Sequence, residues 1–124
     1  MKTNIQLIVL FIFFISCSDD ISSTSSENTP PLINEIVLTP SDPKINQVVR
    51  VKAYVHDADN DKLDFNWLST AGAFVNNGRG NPIYWSTPNA RMNCIITCQV
   101  WDGYNLVSKS LPVYVQDESN LLPE

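Results

Sequence analysis

Apolar residues in this chain recur at every second position over one stretch after another, and a chain with that period buries its side chains as strands. Val49, Val51, Ala53 and Val55 alternate with Arg50, Lys52, Tyr54 and His56, the pattern of a strand with one face buried and one in water. Leu63, Phe65 and Trp67 alternate with Asp64 and Asn66, and Cys94, Ile96, Cys98 and Val100 alternate with Ile95, Thr97, Gln99 and Trp101. Val107, Leu111, Val113 and Val115 share one parity in the last segment. Ile36 and Leu38 predict a first strand and Ile83 to Trp85 another, and no stretch carries a helical stripe.

The breaks between these runs are turn-formers. Pro40 and Pro43 close the first strand, Asp57 to Asp61 separates the second and third, and Asn76 to Pro82 is rich in Gly and Asn. Asp102-Gly103 sits between two alternating runs, and Asp-Gly is a strong hairpin signal because a type I′ turn needs positive φ at both central residues. About seven short strands joined in this way predict an all-β fold, a single antiparallel β-sandwich.

The N-terminal residues have a different character. Lys2 precedes an unbroken apolar run of nine residues, Leu7 to Ile15, then Ser16, then Cys17, which opens the polar stretch CSDDISSTSSENTPP. Nine residues are too few for a spanning helix, which needs roughly 20. Phe14-Ile15-Ser16-Cys17 resembles a bacterial lipoprotein signal, and the resemblance implies cleavage after residues 1–16, diacylglycerol on the Cys17 sulfur and an acyl chain such as palmitate on the new N-terminus. Phe14 and Ser16 depart from the Leu and the Gly or Ala of the commonest pattern and look like Bacteroidota lipoproteins. Ser18-Asp19-Asp20 resembles the acidic tag that sends such proteins to the outer cell surface. The implied location is the cell envelope, lipid-anchored to the outer membrane and surface-exposed.

Residues 17–31 read as the lipidated cysteine and a disordered linker, with Ser at 18, 22, 23, 25 and 26, acids at 19, 20 and 27, and Pro30-Pro31 at its end. A random coil of that length holds the domain about 20 Å from the lipid. Residues 32–116 are the folded domain, and 117–124 form a polar tail.

Within the domain, HDADNDKLDFNW, then IYWSTP, then IITCQVWDG and a last alternating strand resemble immunoglobulin-like domains of the PKD and cadherin-like type. The resemblance covers almost all of residues 32–116. It implies a buried Trp67 on the third strand and puts Cys98 where antibody-type domains keep half of a disulfide, with Ala53 facing it in place of the partner cysteine. Trp67-Leu68-Ser69-Thr70-Ala71-Gly72 stands where PKD domains usually carry a Gly-Asp-Gly turn. Cys94 and Cys98 on one strand lie about 13 Å apart, beyond the roughly 7 Å a disulfide tolerates. With His56 the only histidine, they read as two buried free thiols and not as a zinc site.

Two groups of residues are candidates for binding. Asp57, Asp59 and Asp61, with Asp64 and Asp102 as possible partners, converge hard oxygen atoms of the kind calcium takes six to eight of. Lys62 and Leu68 occupy positions where an EF-hand requires Gly and Glu, so the loop is not that motif. Similar Asp-x-Asp-x-Asp loops between strands occur in cadherin-like and PKD-like repeats, some of which bind calcium. The other reading is a solvated turn whose acids cap their own backbone. Trp101, Tyr104 and Tyr114 form the second group, on the parity opposite the core or in the hairpin loop. They suit stacking on the rings of a glycan or pairing across the hairpin.

Catalysis finds no support. Asp57 and Asp64 are neighbouring carboxylates of a kind used in glycoside cleavage, but the chain has no nucleophile elbow, metal triad or phosphate-binding glycine loop. After loss of Lys2 with the leader, seven Lys or Arg face thirteen Asp or Glu, a balance that repels nucleic acid. The sequence thus predicts a surface-tethered, non-catalytic binding or adhesion module that engages membrane lipid through Cys17 and a glycan or envelope protein through its domain. The alternative is a structural spacer or accessory subunit of an envelope complex.

Overall fold

The computed structural model describes residues 27–118. Seven strands follow in chain order: β1 Leu32–Thr39, β2 Val48–His56, β3 Asp64–Ser69, β4 Ala73–Phe74, β5 Ile83–Ser86, β6 Met92–Trp101 and β7 Leu106–Val115. They form two antiparallel sheets, ordered β1-β2-β5-β4 and β3-β6-β7. Lettered A to G, these are ABED and CFG, the strand sets of a constant-type immunoglobulin sandwich.

The alternation of the sequence becomes the inside of this sandwich. Val49, Val51 and Ala53 of β2 face Cys94, Ile96, Cys98 and Val100 of β6 through one buried cluster that also holds Ile83, Trp85, Trp67 and Val115. The indole N–H of Trp67 donates to Gly80 O at 2.8 Å and that of Trp85 to Ala71 O at 3.1 Å, so neither ring buries an unmet donor. Phe74 lies between them, its centroid 5.9 Å from Trp67 and 6.4 Å from Trp85. Gly78 is the one residue that fits beneath Trp67: its φ is +77°, and a Cβ there would strike the Trp67 carbonyl. Asn81 donates to Ala53 O and accepts from Ala53 N at 2.8 and 2.9 Å, standing in for a strand partner beyond Ile83.

Several details differ from the sequence expectation. In β1 the buried residues are Ile33, Ile36 and Leu38, because the register slips between Ile33 and Glu35 and Asn34 is an extra residue. Strand β4 has two residues, too few to leave a periodic trace. The β6–β7 connection is not a two-residue type I′ turn. Trp101 pairs with Leu106, so residues 102–105 form the loop, and positive φ occurs there at Gly103 alone. Asp102 bends this loop with its side chain, which accepts from the backbone N–H groups of Tyr104 and Asn105. The order also begins before residue 32. Pro31 is buried, and Asn28 and Thr29 are hydrogen-bonded to the loops at one end of the sandwich, so residues 28–31 belong to the domain and not to a disordered linker. Beyond β7, Asp117 pairs with Arg91 at 3.0 Å. The leader, Cys17 and the acidic tag lie outside the described residues.

The seam between the edge strands β1 and β7 is not hydrogen-bonded along its length. Near one end Lys109 Nζ donates to Asn34 O at 2.8 Å, taking up a carbonyl at the bulge. At the other, Ile45 N donates to Gln116 O and Gln116 N to Pro43 O, at 2.9 and 3.0 Å. Between them lies a cleft of about 430 Å³ lined by Ile36, Leu38, Leu111, Val113 and Tyr114 among others.

Candidate functional site

Strand β2 ends at His56 and β3 begins at Asp64, paired with Trp101 at the end of β6. The β2–β3 and β6–β7 loops therefore share one end of the sandwich, and all the acids of both loops are gathered there.

Asp57 organises the first loop. It is only 8% exposed, and its Oδ1 accepts the backbone N–H groups of Asp59 and Asp61 at 2.9 and 3.2 Å. This tight turn, helped by Asn60 at φ +58°, brings one carboxylate oxygen from each of Asp57, Asp59 and Asp61 within 4.8 Å of the others. Oδ2 of Asp57 and Oδ2 of Asp61 are both buried without a hydrogen-bond partner. Burial of the Asp61 carboxyl raises its pKa above 3.8, and the charges of Asp57, Asp59 and Asp102 push it the same way. Two desolvated, unpartnered carboxylate oxygens in one acidic loop are costly unless a cation or a proton compensates them. The set is all hard oxygen, which suits calcium or magnesium and not a soft-metal site.

Asp102 is close by but differently employed. It is 4% exposed, and its two oxygens accept from Tyr104 N, Asn105 N and Asn28 Nδ2, the last at 2.7 Å. Burial alone would raise its pKa, but these hydrogen bonds to the charged form bring it down to about 2. Asp102 thus contributes its field to the cluster and lies outside the three convergent carboxylates. Asp64 also stays out, pointing to the exposed Lys62 at 3.9 Å.

The segment before β1 is the part of this end that the sequence did not mark. Asn28 reaches Asp102, and Thr29 N donates to Asp59 Oδ2 at 2.7 Å. Ser- and Pro-rich composition around these residues carries no sign of such contacts.

The aromatic candidates separate. Trp101 and Tyr104 stand at the acidic end, Tyr104 being 71% exposed, whereas Tyr114 pairs with Asn93 near the opposite end of the same sheet. They do not form one surface. Cys94 and Cys98 are free and buried; burial raises the pKa of both, that of Cys98 to about 12, so neither is a ready thiolate.

Comparison with models of known protein families and with curated proteins finds no match to this chain.

Proposed function

We propose that the chain is a lipid-anchored, non-catalytic immunoglobulin-like module of the outer cell envelope that binds calcium at the acidic end of its sandwich and uses the domain to engage a surface partner. The observation that carries the calcium reading is the pair of buried, unpartnered oxygens of Asp57 and Asp61 beside Asp59. Asp57, Asp59 and Asp61 would hold the ion, with backbone carbonyls and water completing the six to eight oxygens it takes. The ion would supply the positive charge that the cluster otherwise lacks, and Asp102 would add to the attraction from outside the ligand set. The anchoring part rests on the lipoprotein-like leader and Cys17.

The test is the melting temperature of the full chain in mild nonionic detergent, with calcium or with EDTA. A ligand at 100 times its Kd that binds only the native state adds about 2.7 kcal/mol, so calcium is expected to raise the melting temperature. Asp61→Asn is expected to abolish that rise while melting above the parent in EDTA, because it removes a carboxylate held against two others. A parent protein that melts at the same temperature with and without calcium would overturn the reading.

A further inference from the structure

Arg50, Lys52 and Tyr54 follow one another at every second position of β2, on the side turned away from the core, since Val49, Val51 and Ala53 between them are buried. Across the ladder Tyr84 of β5 stands opposite Arg50. Tyr54 and Tyr84 are 43% and 49% exposed, and Lys52 Nζ lies 4.5 Å from the centroid of the Tyr54 ring. The ion pairs among the described residues use Lys44, Lys62 and Arg91, so no carboxylate among the described residues pairs with Arg50 or Lys52. Glu35, opposite Tyr54, is the only acid in the four strands of this sheet.

In a chain of net charge −5, this distribution is a segregation. Asp57, Asp59, Asp61, Asp64 and Asp102 stand at one end and Asp42, Asp117 and Glu118 at the other, while the outer face of this sheet carries Arg50 and Lys52, their Cα atoms about 7 Å apart, with Tyr84 beside one and Tyr54 beside the other. A guanidinium presents a planar fork that matches a carboxylate, and Tyr rings offer rigid, amphipathic faces at little conformational cost. The net negative charge opposes every polyanion alike, so the ring faces of Tyr54 and Tyr84 are what favour a polymer whose carboxylates are carried on sugar rings.

We propose that the outer face of the β1-β2-β5-β4 sheet binds an acidic polysaccharide of uronic acids, with Arg50 and Lys52 pairing with carboxylates and Tyr54 and Tyr84 packing against the sugar rings. This site is separate from the acidic end and does not depend on calcium.

Affinity electrophoresis of the full chain in nonionic detergent, in gels containing polygalacturonate and EDTA, tests it; the chelator removes calcium bridging. Polygalacturonate is expected to retard the protein and neutral dextran to leave it unretarded. R50Q/K52Q is expected to weaken retardation at least tenfold, Tyr84→Ala by a few-fold, and Lys62→Gln not at all, with melting temperatures showing that each variant is folded. Retardation unchanged in R50Q/K52Q would overturn the proposal. So would equal retardation by polyphosphate with no effect of Tyr84→Ala, which would mean a general attraction to anionic groups such as lipid headgroups.

Discussion

Asp57 and Asp102 look alike in the sequence, each an acid immediately after an alternating run, yet the fold puts them to opposite uses. Asp102 is saturated with donors, whereas Asp57 keeps one buried oxygen without any and shares that condition with Asp61. The difference depends on where Asn28, Tyr104 and Asn105 fall in three dimensions, so spacing alone could identify the acidic end but not divide its members into a cluster and a cap. The two environments pull the pH dependence of stability in opposite directions. Asp61, with its pKa raised above 3.8, favours the folded chain once protonated, so that contribution grows as pH falls from neutrality. Asp102, lowered from 3.8 to about 2, stabilises the folded chain above 3.8 and loses that contribution as pH falls toward about 2. In EDTA the melting temperature is therefore expected to rise on mild acidification and then fall, and Asp102→Asn is expected to flatten the fall. A variant that falls as steeply as its parent over that interval would contradict the assignment.

At the level of the element, strand parity was legible because β2 and β6 each bury one face and β7 does so at its end, through Val113 and Val115, and period two survives whenever that is so. What was not legible is whatever breaks the period or lies across the chain: the extra residue Asn34, the two-residue β4, the four-residue loop after Trp101 and the packing of Asn28. The edge of β7 holds a further device. Ile95 gives its N–H to Thr70 Oγ1 and its carbonyl accepts from Thr70 N, so both groups point away from β7. Its partner across the ladder, Pro112, must then direct its own backbone away from β6 and into the open cleft. A residue without an N–H sits where an incoming strand would seek one, which blunts the edge. Pro112→Val restores that donor. Its effect on stability is expected to stay within about 1 kcal/mol, the span of strand propensities, while light scattering reports concentration-dependent association that the parent lacks. A variant that stays monomeric at the same concentrations would show that Pro112 does not guard this edge.

For the whole molecule, the proposed address and the proposed chemistry are borne by different parts of the chain and separate by mutation. Cys17→Ser is expected to abolish labelling by radioactive palmitate and release the protein from the membrane fraction, since a single acyl chain supplies only about 10⁴ M⁻¹ of membrane association and none would remain; calcium binding should persist. Palmitate still incorporated in that variant would exclude Cys17 as the anchor. The described chain also has a direction. It enters at the acidic end, where Asn28 meets Asp102 and Thr29 meets Asp59, and both β1 and β7 run from that end to the other. A pull between the segment before β1 and the segment after β7 therefore acts along the strands, and the bonds of Gln116 with Pro43 and Ile45 meet it in shear, all at once, and not one by one as a zipper opens. An ion bound at the acidic end would therefore sit where that pull enters the sandwich, on the same loops that hold Asn28 and Thr29.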